Sequence, residues 1–416
     1  MIRTSTTIKI IRDPIHGEIR IFPLEWLIID TPLFQRLRYI NQLVGSQFVF
    51  PGCTHNRFSH SLGAMNICSM YCNRFYEERK IDYFESRILR LSSLLHDIAH
   101  GPFSHQFDET IYKKNNYPEG HDDFRNKVIR EFLPHFIQKK LKSIKNTKLY
   151  KQLEEEKSIF GTDNLLELLC ILSEKVLEVY RSKDSYKFAI VQGTLGADRL
   201  DFIWRDSYFS GIKGFSKGDI ERIISNSYIF ENKLVYHIKA IDEIYSSLHG
   251  RFMLYKNLYY HKTARAVDLM IQKILNLFSE IIDFSQYLND PEKFILLTDD
   301  FILNLHYSIK EKSKILEDIT KIIDNIKTRN LWKMIFQQYI YDNDKPNIDG
   351  ILAKIQEIPG KKVVDITEEL NIYSQKNDIL LFDGEKIITL DEFIKQNPIY
   401  NIKQTRTRIL RIYVEV

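Results

Sequence analysis

Only 16 glycines and 11 prolines interrupt 416 residues, about half the density of an average globular chain. A chain with so few breakers must run in long regular elements, and helix is the kind its apolar spacing supports. From about residue 60 to 275, helical patterns dominate. In 83–100, Phe84, Ile88, Leu91, Leu95 and Ile98 recur at steps of three and four, which predicts one buried helix face ended by Gly101-Pro102. Further helices are expected over roughly 122–142, 163–182, 187–208, 240–281 and 312–343.

Two regions depart from this pattern. Alternating residues on either side of Asp13-Pro14-Ile15-His16-Gly17 predict a hairpin over 7–22. Thr31-Pro32 then reads as an N-cap followed by Pro at the first helical position, opening a short helix through Tyr39. In the last quarter, β-leaning runs at Lys362–Val364, Ile379–Phe382, Lys386–Thr389 and Ile409–Val416 surround an Asp383-Gly384 turn. The expectation is a mainly α protein, with a helical core and an N-terminal β-hairpin over 1–290. A small C-terminal α+β lobe over 291–416 would cover the core or build an oligomer interface.

Charge narrows the partners. Lys and Arg number 59 against 55 Asp and Glu, a net of +4, too balanced for a polybasic nucleic-acid coat. Lys-rich stretches at 138–148 and 308–328 could touch phosphates locally, but solvated helix faces account for them better. No run is long and apolar enough to span a bilayer, and the N-terminus lacks a signal-peptide core. The four cysteines, Cys53, Cys68, Cys72 and Cys170, are too few and uneven for a disulfide framework. Cys68 and Cys72 read as buried small apolar residues. A reducing cytoplasm is the expected location.

Histidine and aspartate carry the chemistry. His60, His96, Asp97, His100, His105 and Asp108 cluster in a short span, and Asp198, Asp201 and Asp206 form a second acidic group. On a helix over 83–100, His96 and His100 would share a face. Imidazole plus carboxylate suits Fe, Mn, Ni or Zn better than Mg alone, and the lack of thiolates argues against a structural zinc site. Asp198, Phe202, Arg205 and Asp206 fall on one helical face. Any single member of this set is ordinarily a capped or paired surface group; their joint occurrence points to a metal centre.

His60, His96-Asp97 and Asp198 together resemble the H…HD…D signature of the HD-domain metallophosphohydrolases. The segments DPIHG (13–17), DTPLFQRLRYI (30–40), FPGCTHNRFSHSL (50–62), LHDIAHGPFSH (95–105) and DRLDFIWRD (198–206) are similar to the dGTPase-like dNTP triphosphohydrolase branch. That branch includes animal proteins joining a sterile alpha motif to the HD domain. The resemblance covers about residues 9–275, and the chain is expected to begin at the catalytic core without that motif.

The resemblance implies that His60, His96, Asp97 and Asp198 hold a divalent metal (Mn, Fe, Mg, Ni or Zn). Water activated there would attack the α-phosphorus, giving deoxynucleoside and tripolyphosphate. It further implies that His100 and His105 line the phosphate and sugar side, and that His121 supported by Asp108 protonates the leaving 5′ oxygen. Gln42, Leu43, Arg57, Phe202, Asp206, Arg251, Tyr259, His261 and Lys262 would surround the substrate. The family usually has His-Glu where this chain has His121-Asp122, and Tyr where it has Phe202. Lys9, Asp30, Gln35 and Arg38 match positions that read a guanine nucleotide (GTP or dGTP) in the animal relatives, although Arg12 replaces an Asn. A homo-oligomer, dimer or tetramer, goes with that site. Other readings are a different HD-fold phosphohydrolase (nucleotidase, phosphodiesterase or single-strand nuclease) or an inactive nucleotide-binding scaffold.

Overall fold

A computed structural model describes residues 7–212, 217–342, 344–370, 379–400 and 407–415. The expected mainly α architecture is found, and one hydrophobic cluster runs from Ile19 to Tyr413. At its centre the long helix Arg57–Glu77 lies between the Tyr83–Leu95 and Ala197–Ser210 helices. Leu62, Met65, Cys68, Tyr71, Cys72 and Phe75 of that helix are buried, so the two spaced cysteines are packing residues.

The N-terminal hairpin pairs Lys9–Asp13 with Gly17–Ile21 antiparallel, and Gly17 takes the left-handed φ of 72° that closes the turn. Thr31 caps the next helix by accepting the Phe34 N–H at 3.3 Å, with Pro32 at its first position. After four residues this helix tightens to a 3₁₀ turn over Arg36–Tyr39.

Several expected helices end sooner or break. The 83–100 helix stops at Leu95; residues 96–100 continue as i→i+3 turns, with Ile98 N–H on Leu95 and His100 N–H on Asp97. His96 and His100 therefore do not share a helix face. The expected 187–208 helix is two, Tyr186–Gln192 and Ala197–Ser210. The break is local: a Cβ on Gly193 or Gly196 would sit 2.4 or 2.7 Å from the Ala189 carbonyl oxygen. The 240–281 stretch is also two helices, Ile241–Leu254 and Lys262–Ile281, parted by a wide π-turn over Tyr255–Tyr259. Arg251, Tyr255, Tyr259 and Lys262 thus share no single helical face.

The 312–343 segment is helical only over Lys314–Lys327; Lys333–Tyr341 is a strand. Its partner is Thr407–Val414, which also pairs with Lys362–Ile366. A hairpin over Ser227–Phe230 and Lys233–His237 interrupts the helical region, turned by Glu231-Asn232 at positive φ. Asn232 tolerates that conformation, but the turn lacks the glycine that makes hairpins legible in sequence. Leu380–Phe382 and Ile387–Thr389 extend this sheet. Val416, the end of one expected β-run, lies outside the described residues. Among the described residues, no helix is long and apolar enough to cross a membrane.

Candidate metal and phosphohydrolase centre

His60 projects from the first turn of the 57–77 helix, which Asn56 caps by accepting the Ser59 N–H. His96 and Asp97 follow the end of the 83–95 helix, and Asp198 sits in the first turn of the 197–210 helix, just past the glycine break. The four side chains converge. His60 Nε2 is 3.1 Å from both His96 Nε2 and Asp198 Oδ1. His96 Nε2 lies 3.3 Å from Asp97 Oδ1 and 3.4 Å from Asp198 Oδ1. Such spacings match neighbouring ligands around one cation at bond lengths of about 2.1 Å.

The tautomers are set from behind. His60 Nδ1 faces Asp201 Oδ2 at 2.8 Å and His96 Nδ1 faces the Ser93 carbonyl at 2.7 Å. Carboxylate and carbonyl only accept, so both imidazoles donate from Nδ1 and turn the Nε2 lone pair inward. Charge fits a cation as well. Burial works against a proton on His60, yet Asp198, Asp201 and Asp97 outweigh it and push its pKa up to about 10. A site that grips a proton this tightly calls for positive charge. Two imidazoles and two carboxylates therefore fit a divalent metal.

Asp201 was visible in the sequence only as one of several helix carboxylates; Asp198, not Asp201, carried the signature. It is fully buried and also takes His16 Nε2 at 2.5 Å and the Arg205 guanidinium, which reaches Asp13 at 3.0 Å. The hairpin turn is thereby tied to the metal centre. Arg205 faces this network and not Asp198, and Gly63 makes room for it: a Cβ there would meet Asp201 Oδ1 at 2.0 Å.

A second group adjoins the first. His121 begins the His121–Lys127 helix, and its Nδ1 meets Asp108 Oδ2 at 2.8 Å; His105 Nδ1 reaches the same oxygen at 3.0 Å. His100 stacks on His121 with ring centroids 3.5 Å apart and holds Nε2 3.4 Å from Asp97 Oδ1. Burial opposes charge on His121, but Asp108 more than compensates and raises its pKa. Burial, then Arg57 and His121, drives the His100 pKa well down. The two stacked imidazoles are thus pushed in opposite directions, His121 toward its protonated form and His100 toward its neutral one.

Around these groups, Leu43, Phe202 and Tyr259 meet in a small apolar cluster with Cys53, Ile203 and Leu254. Tyr259 donates to Asp206 Oδ2 at 2.5 Å, and His55 reaches Asp206 Oδ1 at 2.6 Å. Gln42 Oε1 and Arg251 Nε are buried without a hydrogen-bond partner among the described residues. Arg57 is engaged, donating to Asp97 Oδ2 at 2.5 Å and to Ser104 Oγ at 2.8 Å. His261 caps the 262–281 helix and Lys262 is exposed beside it. Farther off, Gln35 Oε1 accepts from Arg38 at 2.8 Å, while Asp30 pairs with Lys140 at 2.5 Å and Lys9 rests on Trp26.

The fold and donor set define an HD-domain protein. Residues 57–174 match the HD domain family and residues 219–393 the HD associated region. The chain is 30% identical over 95% of its length to the deoxynucleoside triphosphate triphosphohydrolase SAMHD1 of Bos taurus, covering 69% of that protein. It is 31% identical to the human protein of that name over 79% of this chain and 55% of the relative. The Dictyostelium discoideum homologue is 29% identical over 81% of this chain; the chain spans 62% of that relative's length. The chain belongs to the HD-domain dNTP triphosphohydrolase family.

Proposed function

We propose that the chain is a metal-dependent deoxynucleoside triphosphate triphosphohydrolase, cleaving at the α-phosphorus to release deoxynucleoside and tripolyphosphate. The observation that carries this is the His121–Asp108 pair, 2.8 Å apart and linked through stacked His100 to Asp97 of the four-donor site. A proton donor beside a cation site is what hydrolysis of a phosphate ester needs. A bound divalent cation supplies a lowered water pKa and a polarised phosphoryl group; the donor chemistry favours Mn, Fe, Ni or Zn over Mg.

The protein's own groups do the rest. His60 and His96 present lone pairs inward because Asp201 and Ser93 hold their Nδ1 protons. Asp108 keeps His121 protonated, so the imidazolium can give its proton to the 5′ oxygen as negative charge develops there. His105, held by the same carboxylate, stands at the exposed mouth and meets the phosphate chain. Gln42 Oε1 is free to accept from a 3′-hydroxyl, and the Leu43, Phe202 and Tyr259 cluster walls the sugar. Arg251 and Lys262 supply cations for the outer phosphates, with His261 and Asp206 shaping the far side.

The Asp30, Gln35, Arg38 and Lys9 surface is the proposed seat of a guanine nucleotide activator that promotes homo-oligomers. Gln35 and Arg38 are already joined there, and Asp30 must leave Lys140 to take part. The test is a panel of dNTPs and NTPs with Mn or Mg, with and without GTP, with products separated by chromatography. Tripolyphosphate supports the proposal; pyrophosphate, orthophosphate or shortened oligonucleotides as products refute it.

A further inference from the structure

The segment Asn41–Gly45 carries Gln42 and Leu43 and runs from the bridge of Asn41 to Asn56 to the 3₁₀ turn that Gly45 opens, with no helix or strand spanning it. Its backbone is held at both ends by buried carboxylates from far along the chain. At one end Asp299 Oδ2 accepts the Asn41 N–H at 2.9 Å. At the other, Asp268 Oδ1 accepts the Gly45 N–H at 3.0 Å. Gly45 lies so close to the 262–281 helix that a Cβ would meet the Ala264 carbonyl oxygen at 2.2 Å.

Asp299 does more. Its other oxygen accepts the Phe103 N–H at 2.7 Å. Phe103 and Ser104 both have left-handed φ, 58° and 54°, a conformation that non-glycine residues keep only where surroundings impose it. Ser104 Oγ in turn donates to the Asn41 carbonyl at 2.9 Å and accepts from Arg57 Nε at 2.8 Å. Arg57 reaches Asp97. One carboxylate thus fixes two loops, the sugar-side segment and the strained turn after the HD residues.

Neither carboxylate sits there cheaply. Asp299 is 4% exposed and Asp268 9%, and burial pushes both carboxyls up, to about 7 and about 6. Both belong to the region beyond the HD domain match, within 219–393.

We propose that Asp299 and Asp268 are positioning residues that clip the two ends of the Asn41–Gly45 segment, so that the HD associated region sets the sugar-side wall. The sugar assignment rests on the function proposed above; the clip itself does not.

The test compares full-length wild type with Asp299→Ala and Asp268→Ala, which remove every acceptor oxygen at the two ends of the segment. Amide hydrogen exchange should quicken at Asn41 and Phe103 in the first variant and at Gly45 in the second, with the 57–77 helix unchanged. Metal content should be unaltered, while KM for a dNTP rises about tenfold and kcat changes less than about threefold, the signature of lost uniform binding. Unchanged exchange at all three amides overturns the proposal, as does exchange rising equally through the 57–77 helix. Should one variant fail to fold, the other still tests its own end. If wild type yields no tripolyphosphate, the functional reading falls while the exchange result still decides the clip.

Discussion

Asp201 accepts the Nδ1 proton of His60 at 2.8 Å while holding His16 and Arg205 with its remaining lone pairs. This one carboxylate joins the hairpin turn, the 57–77 helix and the 197–210 helix behind the metal site. Asp201→Asn leaves His60 without a charged acceptor and frees its ring to rotate. Losing the carboxylate that orients a metal-binding imidazole weakens metal binding about 10–100-fold. Metal content after dialysis against a graded chelator series reads the loss; retention equal to wild type would refute the role.

Gly63 faces the same network from one turn along the helix. Gly63→Ala drives a methyl group into Asp201 and Arg205, both fully buried. Overpacking at a site that cannot relax costs about 1–3 kcal/mol. The melting temperature should fall and metal retention with it. A variant as stable and as metal-loaded as wild type would show that the two helices can part without consequence.

The His121–Asp108 pair predicts a pH signature. Asp108 raises the His121 pKa against the opposing effect of burial, so the proton donor stays loaded to higher pH than an ordinary histidine. Activity should fall as pH rises through that raised value. In Asp108→Asn the falling limb should move to lower pH, because the group that held the proton is gone. His121→Gln should cut kcat about 10²–10⁴-fold at unchanged metal content. A pH profile unmoved by Asp108→Asn would remove His121 as the acid.

Phe202 packs with Leu43 and Tyr259 at the wall assigned to the sugar. Phe202→Tyr adds a hydroxyl at that place. The dNTP-over-NTP ratio of kcat/KM should rise about tenfold, since a site with a buried polar group punishes a poorly matched ligand. Measured ratios within twofold of one another would place the sugar elsewhere.

The proposed metal donors were legible because their residue types are rare together and His60, His96 and Asp97 lie close along the chain. His60, His96, Asp97 and Asp198 come from three segments, but each motif is local, so the family resemblance could offer all four as candidate donors. Helix ends were less legible. Apolar periodicity ran on through Ile98 and past Lys327, since spacing reports which face is buried and says little about where backbone hydrogen bonds stop. The Lys333–Tyr341 strand depends on a partner beginning at Thr407, a pairing that no local pattern encodes.

By itself, the sequence determined a mainly helical chain with a hairpin at its head, and offered four His and Asp residues as candidate metal donors. Tertiary structure alone decided which groups stand behind them. Asp201 sets the His60 tautomer, Asp108 loads His121, and Asp299 reaches back across 258 positions to Asn41. The physical reason is the same each time. A carboxylate's role depends on which donors surround it once water is removed, and those donors arrive from distant segments only when the core closes.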